Sequence, residues 1–193
     1  MRDIIKSGLA LFAITVIFTV ILAATNLMTS DVIAQAQNEG RQSSMIYVLP
    51  EAQTFSATVD MGNEAGLLGY TVAFADGVPV GVIMEVSVTG FSPNLIFLVG
   101  VDLDGTVTGM DVLSHAETPG LGARITEVTY RHQFIGSTGN VQVLSAGQTP
   151  GINEVVAITG ATHTMNVVTV GVNEALAHVN SVIIPNIGSY SLQ

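Results

Sequence analysis

The sequence predicts an α+β domain, an antiparallel sheet with flanking helices, carried behind a single amino-terminal membrane-spanning helix. Three observations lead there. No residue from Ser7 to Ser30 is charged, and Leu9 to Ala24 is apolar apart from Thr15 and Thr19. Two β-rich runs are each divided by an Asp-Gly pair, the dipeptide of tight hairpins. Further on, apolar residues recur every three or four positions from Met165 to Val179, the spacing of a helix with one buried face.

Composition narrows the function before any motif is read. Among 193 residues, 15 acids stand against 5 bases for a net charge of −10. Such a chain is repelled by phosphate backbones and has no basic cluster to neutralise them, so nucleic acid is excluded as a partner. A hydrophobic fraction of 48% is far above that of chains that fail to collapse. The absence of cysteine removes disulfides, thiolate nucleophiles and Cys-ligated metal clusters, so redox chemistry here requires a bound organic cofactor. Charged residues make up 10%, against roughly 25% in an ordinary soluble domain, which points to surface covered by lipid or protein.

Taken in order, the first element is the span. A helix over this stretch reaches across the roughly 30 Å hydrocarbon layer, and both threonines can return their hydroxyls to a carbonyl one turn earlier. Arg2 and Lys6 precede it, and no further Lys or Arg follows until Arg41, which places the amino terminus in the cytoplasm and the remainder outside it, at the inner membrane of a cell with two. The rival reading is a cleaved signal peptide, with small residues for a cleavage site at Ala34-Gln35-Ala36 or around Ala23-Ala24. Residues 31–49 carry Val32, Ile33, Ala36, Ile46 and Leu49 at helical spacing, a juxtamembrane helix with a break near Gly40 and an end at Pro50. Gly69 to Gly90 forms a hairpin about Asp76-Gly77, and Leu95 to Leu113 a second about Asp104-Gly105. Ala123 to Phe134 reads as a helix, Val141 to Leu144 as a short strand, and Met165 to Val179 as the long helix. The organisation is thus 1–30 cytoplasmic end and span, 31–60 juxtamembrane helix and linker, 61–180 the folded domain, and 181–193 a tail.

Two segments could carry chemistry. Ile158 to Met165 (ITGATHTM) is a small, Gly-containing turn directly before the long helix. Thr159 or Thr162 can cap that helix, Gly160 admits a ligand close to the backbone, and unpaired amides at a helix start seat a phosphate. A solvent-facing Thr162 hydroxyl could itself form a phosphoester, although a Gly and Thr turn before a helix commonly serves only as a cap. Ser114 to Arg124 (SHAETPGLGAR) places Pro119-Gly120 at the centre of a type II turn, with His115 and Glu117 just before it. On residue chemistry alone this is a connection with solvated His and Glu, or a Gly-rich apolar loop fit for a flat aromatic ligand. His132, His163 and His178 lack metal-ligand spacing.

Together, HAETPGLGAR and AITGATHT, in this order behind one span, resemble the covalent FMN-binding domain family, and most nearly the G subunits of Rnf ion-translocating electron-transport complexes. The C subunits of sodium-translocating NADH:quinone reductase are the near relatives. The resemblance extends over the span, Val48 to Ala52, the Gly90-Phe91 corner and the block from Asp102 to Gly122. It implies FMN bound as a phosphoester to Thr162, with Thr159, Gly160, Ala161 and Thr164 around the phosphate. It further implies His115, Glu117, Thr118, Gly120 and Leu121 near the isoalloxazine. A separate flavin transferase makes the bond in such families, and the electrons pass to and from other iron–sulfur and flavin subunits. Two positions depart from the pattern: Val156 stands six residues before the acceptor, where an acid is usual, with Glu154 two residues earlier, and Tyr130 stands where Trp is usual. The competing function from another class is an anchored scaffold in which the TGAT turn is merely a cap.

Overall fold

The computed structural model describes residues 2–190, and its contacts divide the chain into two compact units, Met1–Arg41 and Gln42–Gln193. The amino-terminal unit is one helix, part of α1 (Arg2–Val48), whose apolar side chains such as Phe12, Phe18 and Leu22 are exposed. Thr15 donates to the Leu11 carbonyl at 2.7 Å and Thr19 to that of Thr15 at 2.8 Å, so neither hydroxyl is left unpaired along the span. It is long and apolar enough to cross a membrane. The break anticipated near Gly40 does not occur. An exposed glycine costs a helix only about 1 kcal/mol, and the flanking residues are good helix formers, with Gln35 bonded to Glu39 at 2.9 Å.

The second unit starts with the last turns of α1, which ends at Val48, two residues before Pro50. Six strands follow in one antiparallel sheet: β1 (Thr54–Phe55), β2 (Val59–Glu64), β3 (Leu67–Ala75), β4 (Val78–Val88), β5 (Leu95–Asp102) and β6 (Val107–Ser114). The order is β1-β3-β4-β5-β6, with β2 also paired to β3. Both anticipated hairpins are present. At the first, Asp76 and Gly77 take φ of 51° and 78°, the left-handed pair of a type I′ turn. At the second, the Asp102 carboxylate accepts from the amides of Asp104 (3.0 Å) and Thr106 (2.8 Å), closing a slightly longer loop.

Strand alternation sorts side chains between two cores. Val82, Met84, Val86, Phe97, Val99 and Val101 face α3 (Thr162–His178), which presents Met165, Val168, Val172 and Leu176. Ile83, Leu98 and Ala73 face the other way, against Met45 and Val48 from the end of α1 and Leu49 just beyond it. The first of these cores also explains why α3, although apolar enough to span a membrane, is a core helix instead. Gly171 brings α3 down on the sheet: a Cβ there would meet Val88, Val86 and Phe97 at 2.8–3.0 Å.

The stretch 123–134 is not one helix. It is a 3₁₀ turn (Gly122–Thr126), a single α turn, α2 (Val128–Arg131), and a second 3₁₀ turn (His132–Phe134). Only Ile125 and Phe134 of its apolar side chains are buried, too few to sustain a regular buried stripe. Arg131 pairs with Asp111 of β6 and lies over the Tyr47 ring, and the Tyr47 hydroxyl shares a 2.8 Å hydrogen bond with His132 Nε2. The strand anticipated at Val141 is β7 (Gln142–Leu144), and it pairs in parallel with β8 (Glu154–Val156). Beyond α3 the chain continues through a π turn (Val179–Ile183) and a 3₁₀ turn (Ile184–Ser189). This segment, anticipated as a tail, packs into the main core through Ile183, Ile184, Ile187 and Tyr190. The hydroxyls of Tyr190 and Tyr70 meet at 2.7 Å; burial, with that bond, pushes the Tyr70 phenol up to about 12.

Candidate functional site

Three connections meet at the amino-terminal end of α3. The first is the TGAT turn. The Ala161 amide bonds back to the Ile158 carbonyl at 2.9 Å, and Gly160 takes a φ of 80°, which completes a reverse turn only glycine adopts without strain. The turn delivers Ala161, not a threonine, to the cap position, and no side chain caps the helix. The expectation that Thr159 or Thr162 caps it is therefore corrected: Thr159 is exposed in the turn, and Thr162 is already the first helical residue. The first turn of α3 contains no acid. Uncapped amides and the positive end of the helix dipole suit a phosphate.

The second connection is 115–122. Leu121 N–H bonds to the Thr118 carbonyl at 3.1 Å with Gly120 at φ 76°, the type II turn that Pro119-Gly120 predicts. The exposed Leu121 leans over the TGAT turn, with Cδ2 at 2.9 Å from where a Cβ of Gly160 would stand. His115 is half-buried and its Nδ1 accepts from the Glu117 amide at 3.3 Å, a bond within its own loop. The third connection is the corner between β4 and β5, where Gly90 N–H bonds to the Ser92 carbonyl at 3.2 Å.

Glu117 joins all three. Its side chain is 4% exposed, so the solvated glutamate anticipated from the loop's composition is corrected. One oxygen accepts from the Ser92 amide at 3.0 Å, the other from the Thr164 hydroxyl at 2.8 Å. Buried carboxylates require such partners, since an unpaired one is strongly penalised. Gly90 and Gly122 make the room: a Cβ on either would run into the carboxylate. The sequence conceals this, because the partners of Glu117 lie 25 and 47 residues away along the chain. The two glycines were the available signal.

Thr162 and Thr164 therefore differ. Thr162 is exposed, whereas Thr164 is 1% exposed and turned in to Glu117. Of the two departures, Val156 lies in β8 with its amide donating to Gln133 Oε1 at 2.6 Å, while Glu154 Oε2 accepts from the Gly151 amide at 2.8 Å. Tyr130 is half-buried with the Arg124 guanidinium 5.1 Å from its ring centre. Among the described residues no His, Asp and Glu cluster could hold a metal ion.

Comparison with known proteins decides the family. Residues 90–177 match the model of the FMN-binding domain, a match that opens at Gly90 and takes in Glu117, Thr162 and Thr164. Residues 1–46 match the RnfG N-terminal region. The G subunit of the Na⁺-translocating ferredoxin:NAD⁺ oxidoreductase complex of Acetobacterium woodii is 32% identical over 91% of each chain. The chain belongs to the G-subunit family of ion-translocating oxidoreductase complexes. Another member, the G subunit of the ion-translocating oxidoreductase complex of Methanosarcina acetivorans, is 29% identical over 93% of this chain and 96% of its own. A third member, named for a proton-translocating ferredoxin:NAD⁺ oxidoreductase complex of Clostridium ljungdahlii, is also 29% identical, covering 91% and 95%. Outside the G subunits, the crystal structure of NqrC from Shewanella oneidensis superimposes with a TM-score of 0.56 at 18% identity, over 76% of this chain and 74% of that one, a likeness of fold.

Proposed function

We propose that this G-family chain is a membrane-anchored electron-transfer subunit that carries FMN as a phosphoester on Thr162. It works within an Rnf-type redox-driven ion-translocating complex. The observation that carries the reading is the exposed Thr162 at the uncapped, acid-free start of α3, inside the match to the FMN-binding domain. Bound there, FMN supplies one- or two-electron transfer. The amides of the first turn receive the phosphate, and the dipole of α3 offsets its charge. Leu121 lies over the Gly160 side of the turn. Thr159, Ala161, Thr118 and Gly120 contribute backbone to the two turns, and His115 stiffens the loop ahead of Glu117.

Residues 1–30 serve as the anchor, with the amino terminus in the cytoplasm and the domain outside it, followed by the helical stretch that leads into the folded unit. The span contains no carboxylate, so the transported ion is handled by other subunits. Those membrane, iron–sulfur and flavin subunits are the electron partners, and a flavin transferase loads the cofactor. The G-family reading is favoured over that of a quinone-reductase C subunit because the latter resemblance is one of fold, at 18% and 23% identity.

Intact-mass measurement on the chain purified from cells expressing the transferase tests the proposal. The native chain carries one FMN adduct mapping to the peptide around Thr162, and its band fluoresces on a denaturing gel. Thr162→Val abolishes both. A native chain of unmodified mass in those cells returns the scaffold reading.

A further inference from the structure

We infer that the crease between the β2–β3 turn and the later turns of α3 seats one arginine or lysine side chain of a neighbouring subunit. The inference rests on the chain's place in a multi-subunit complex and not on the flavin at Thr162.

The crease is a cavity of about 290 Å³ with Met61, Leu67 and Ala177 as its apolar walls. Two carboxylates border it, Glu64 from the turn and Glu174 from the helix, with His178 one turn further along α3. Small-molecule sites run from about 300 to 1,000 Å³, so this one has room for a single long side chain and not for a second flavin. Both of its sides are fixed. The Ser87 amide of β4 donates to the Gly66 carbonyl at 2.7 Å, and the turn lies so close that a Cβ on Gly66 would stand 2.9 Å from the Ser87 carbonyl oxygen. Opposite, α3 is held by Val172 and Leu176 in the main core. The hollow therefore belongs to the fold and not to a loose loop.

Charge selects the occupant. Glu64 and Glu174 are exposed, and neither has an ion pair or hydrogen bond among the described residues. The domain has no cation to spare for them. Residues 42–193 contain no lysine and two arginines, of which Arg124 is paired with Glu127 and Arg131 with Asp111. Solvated carboxylates on an open surface need no partner, but these stand over an apolar hollow. A side chain with a methylene stem and a charged head matches both parts: the stem covers Met61 and Leu67, and the head makes charge-assisted hydrogen bonds to the carboxylates. Phosphates and acidic peptides are repelled by the same pair. No His, Asp and Glu cluster of the described residues could hold a metal ion, which leaves an organic cation. The G-subunit relatives are parts of oxidoreductase complexes, and a neighbouring subunit is the source of such a group that stays beside this chain.

The test uses the full-length chain expressed with the other subunits of its complex and purified in detergent through a tag on this chain. Glu64→Lys combined with Glu174→Lys sets like charges against the seated cation. It is expected to lower the yield of co-purified subunits several-fold while FMN content and melting temperature stay those of the parent, because both side chains are exposed. Glu64→Gln combined with Glu174→Gln is expected to weaken retention at low salt and to flatten its dependence on sodium chloride, since the screened attraction is gone. A photo-crosslinking benzophenone side chain in place of Ala177 is expected to join the chain to another subunit at a peptide containing Arg or Lys. Equal recovery of subunits from the parent and both double variants at every salt concentration overturns the inference, as does a crosslink confined to peptides without a basic residue. A parent complex that assembles with an unmodified Thr162 overturns the carrier reading alone and leaves this inference standing.

Discussion

Two places in the domain bring chain segments together across glycines, and they do so for different ends. On the sheet face toward α1, Gly100 and Gly109 sit opposite each other on β5 and β6, and the backbone of Val48 lies directly on them. The Val48 carbonyl is met there by the Thr108 hydroxyl at 2.6 Å. At the end of α3, Gly90 and Gly122 instead admit the carboxylate of Glu117. In the first place the missing side chains let one backbone rest on another, which closes a small core. In the second they let one charged group reach three loops. Removal of side-chain volume therefore serves architecture at one position and assembly of the site at the other, and the two can be broken separately.

The largest effect is expected from the architectural pair. Gly100→Ala forces a methyl into the Val48 carbonyl, a backbone group that cannot swing aside. A loss of about 3 kcal/mol, or a melting temperature lower by roughly 6–12 °C for a domain of this size, should appear in thermal unfolding followed by circular dichroism. The fraction that remains folded should keep its FMN. Next comes Glu117→Ala, which strands the Ser92 amide and the Thr164 hydroxyl in a buried space. It is expected to cost about 2–3 kcal/mol and, unlike Gly100→Ala, to lower FMN content in the folded protein as read by intact mass. Glu117→Gln, which keeps an acceptor for Ser92, should recover most of that content. If Gly100→Ala lost flavin and Glu117→Ala lost only stability, the contrast between the two cradles would be inverted. The smallest effect is that of Thr108→Val, which removes one hydrogen bond to Val48 at about 1 kcal/mol and should leave flavin content unchanged.

What could be read from the sequence followed from how local each signal was. Asp76-Gly77 and Asp104-Gly105 set their hairpins through the conformations of those residues, and Pro119-Gly120 set its turn likewise. The period of Met165 to Val179 gave α3, short by the three residues from Thr162 to Thr164, because that first turn has only polar residues. β2 escaped notice because it is an edge strand with Asp60, Gly62, Asn63 and Glu64 exposed, so no alternation marks it. β8 is three residues long and owes its existence to β7. In the candidate site, the turns were legible and the role of Glu117 was not. A glutamate between Ala116 and Thr118 looks solvated until the fold brings Ser92 and Thr164 to it.

The inward turn of Thr164 bears on the proposed attachment of FMN. Two threonine hydroxyls stand within the first turn of α3, chemically equivalent as nucleophiles, yet the fold has engaged one with a carboxylate and offered the other to solvent. A modifying enzyme that meets the folded domain has no regiochemical choice to make. Selectivity for one alcohol over its neighbour is then a property of the substrate's tertiary structure, and releasing Thr164 from Glu117 would make misplaced esterification a new product to look for.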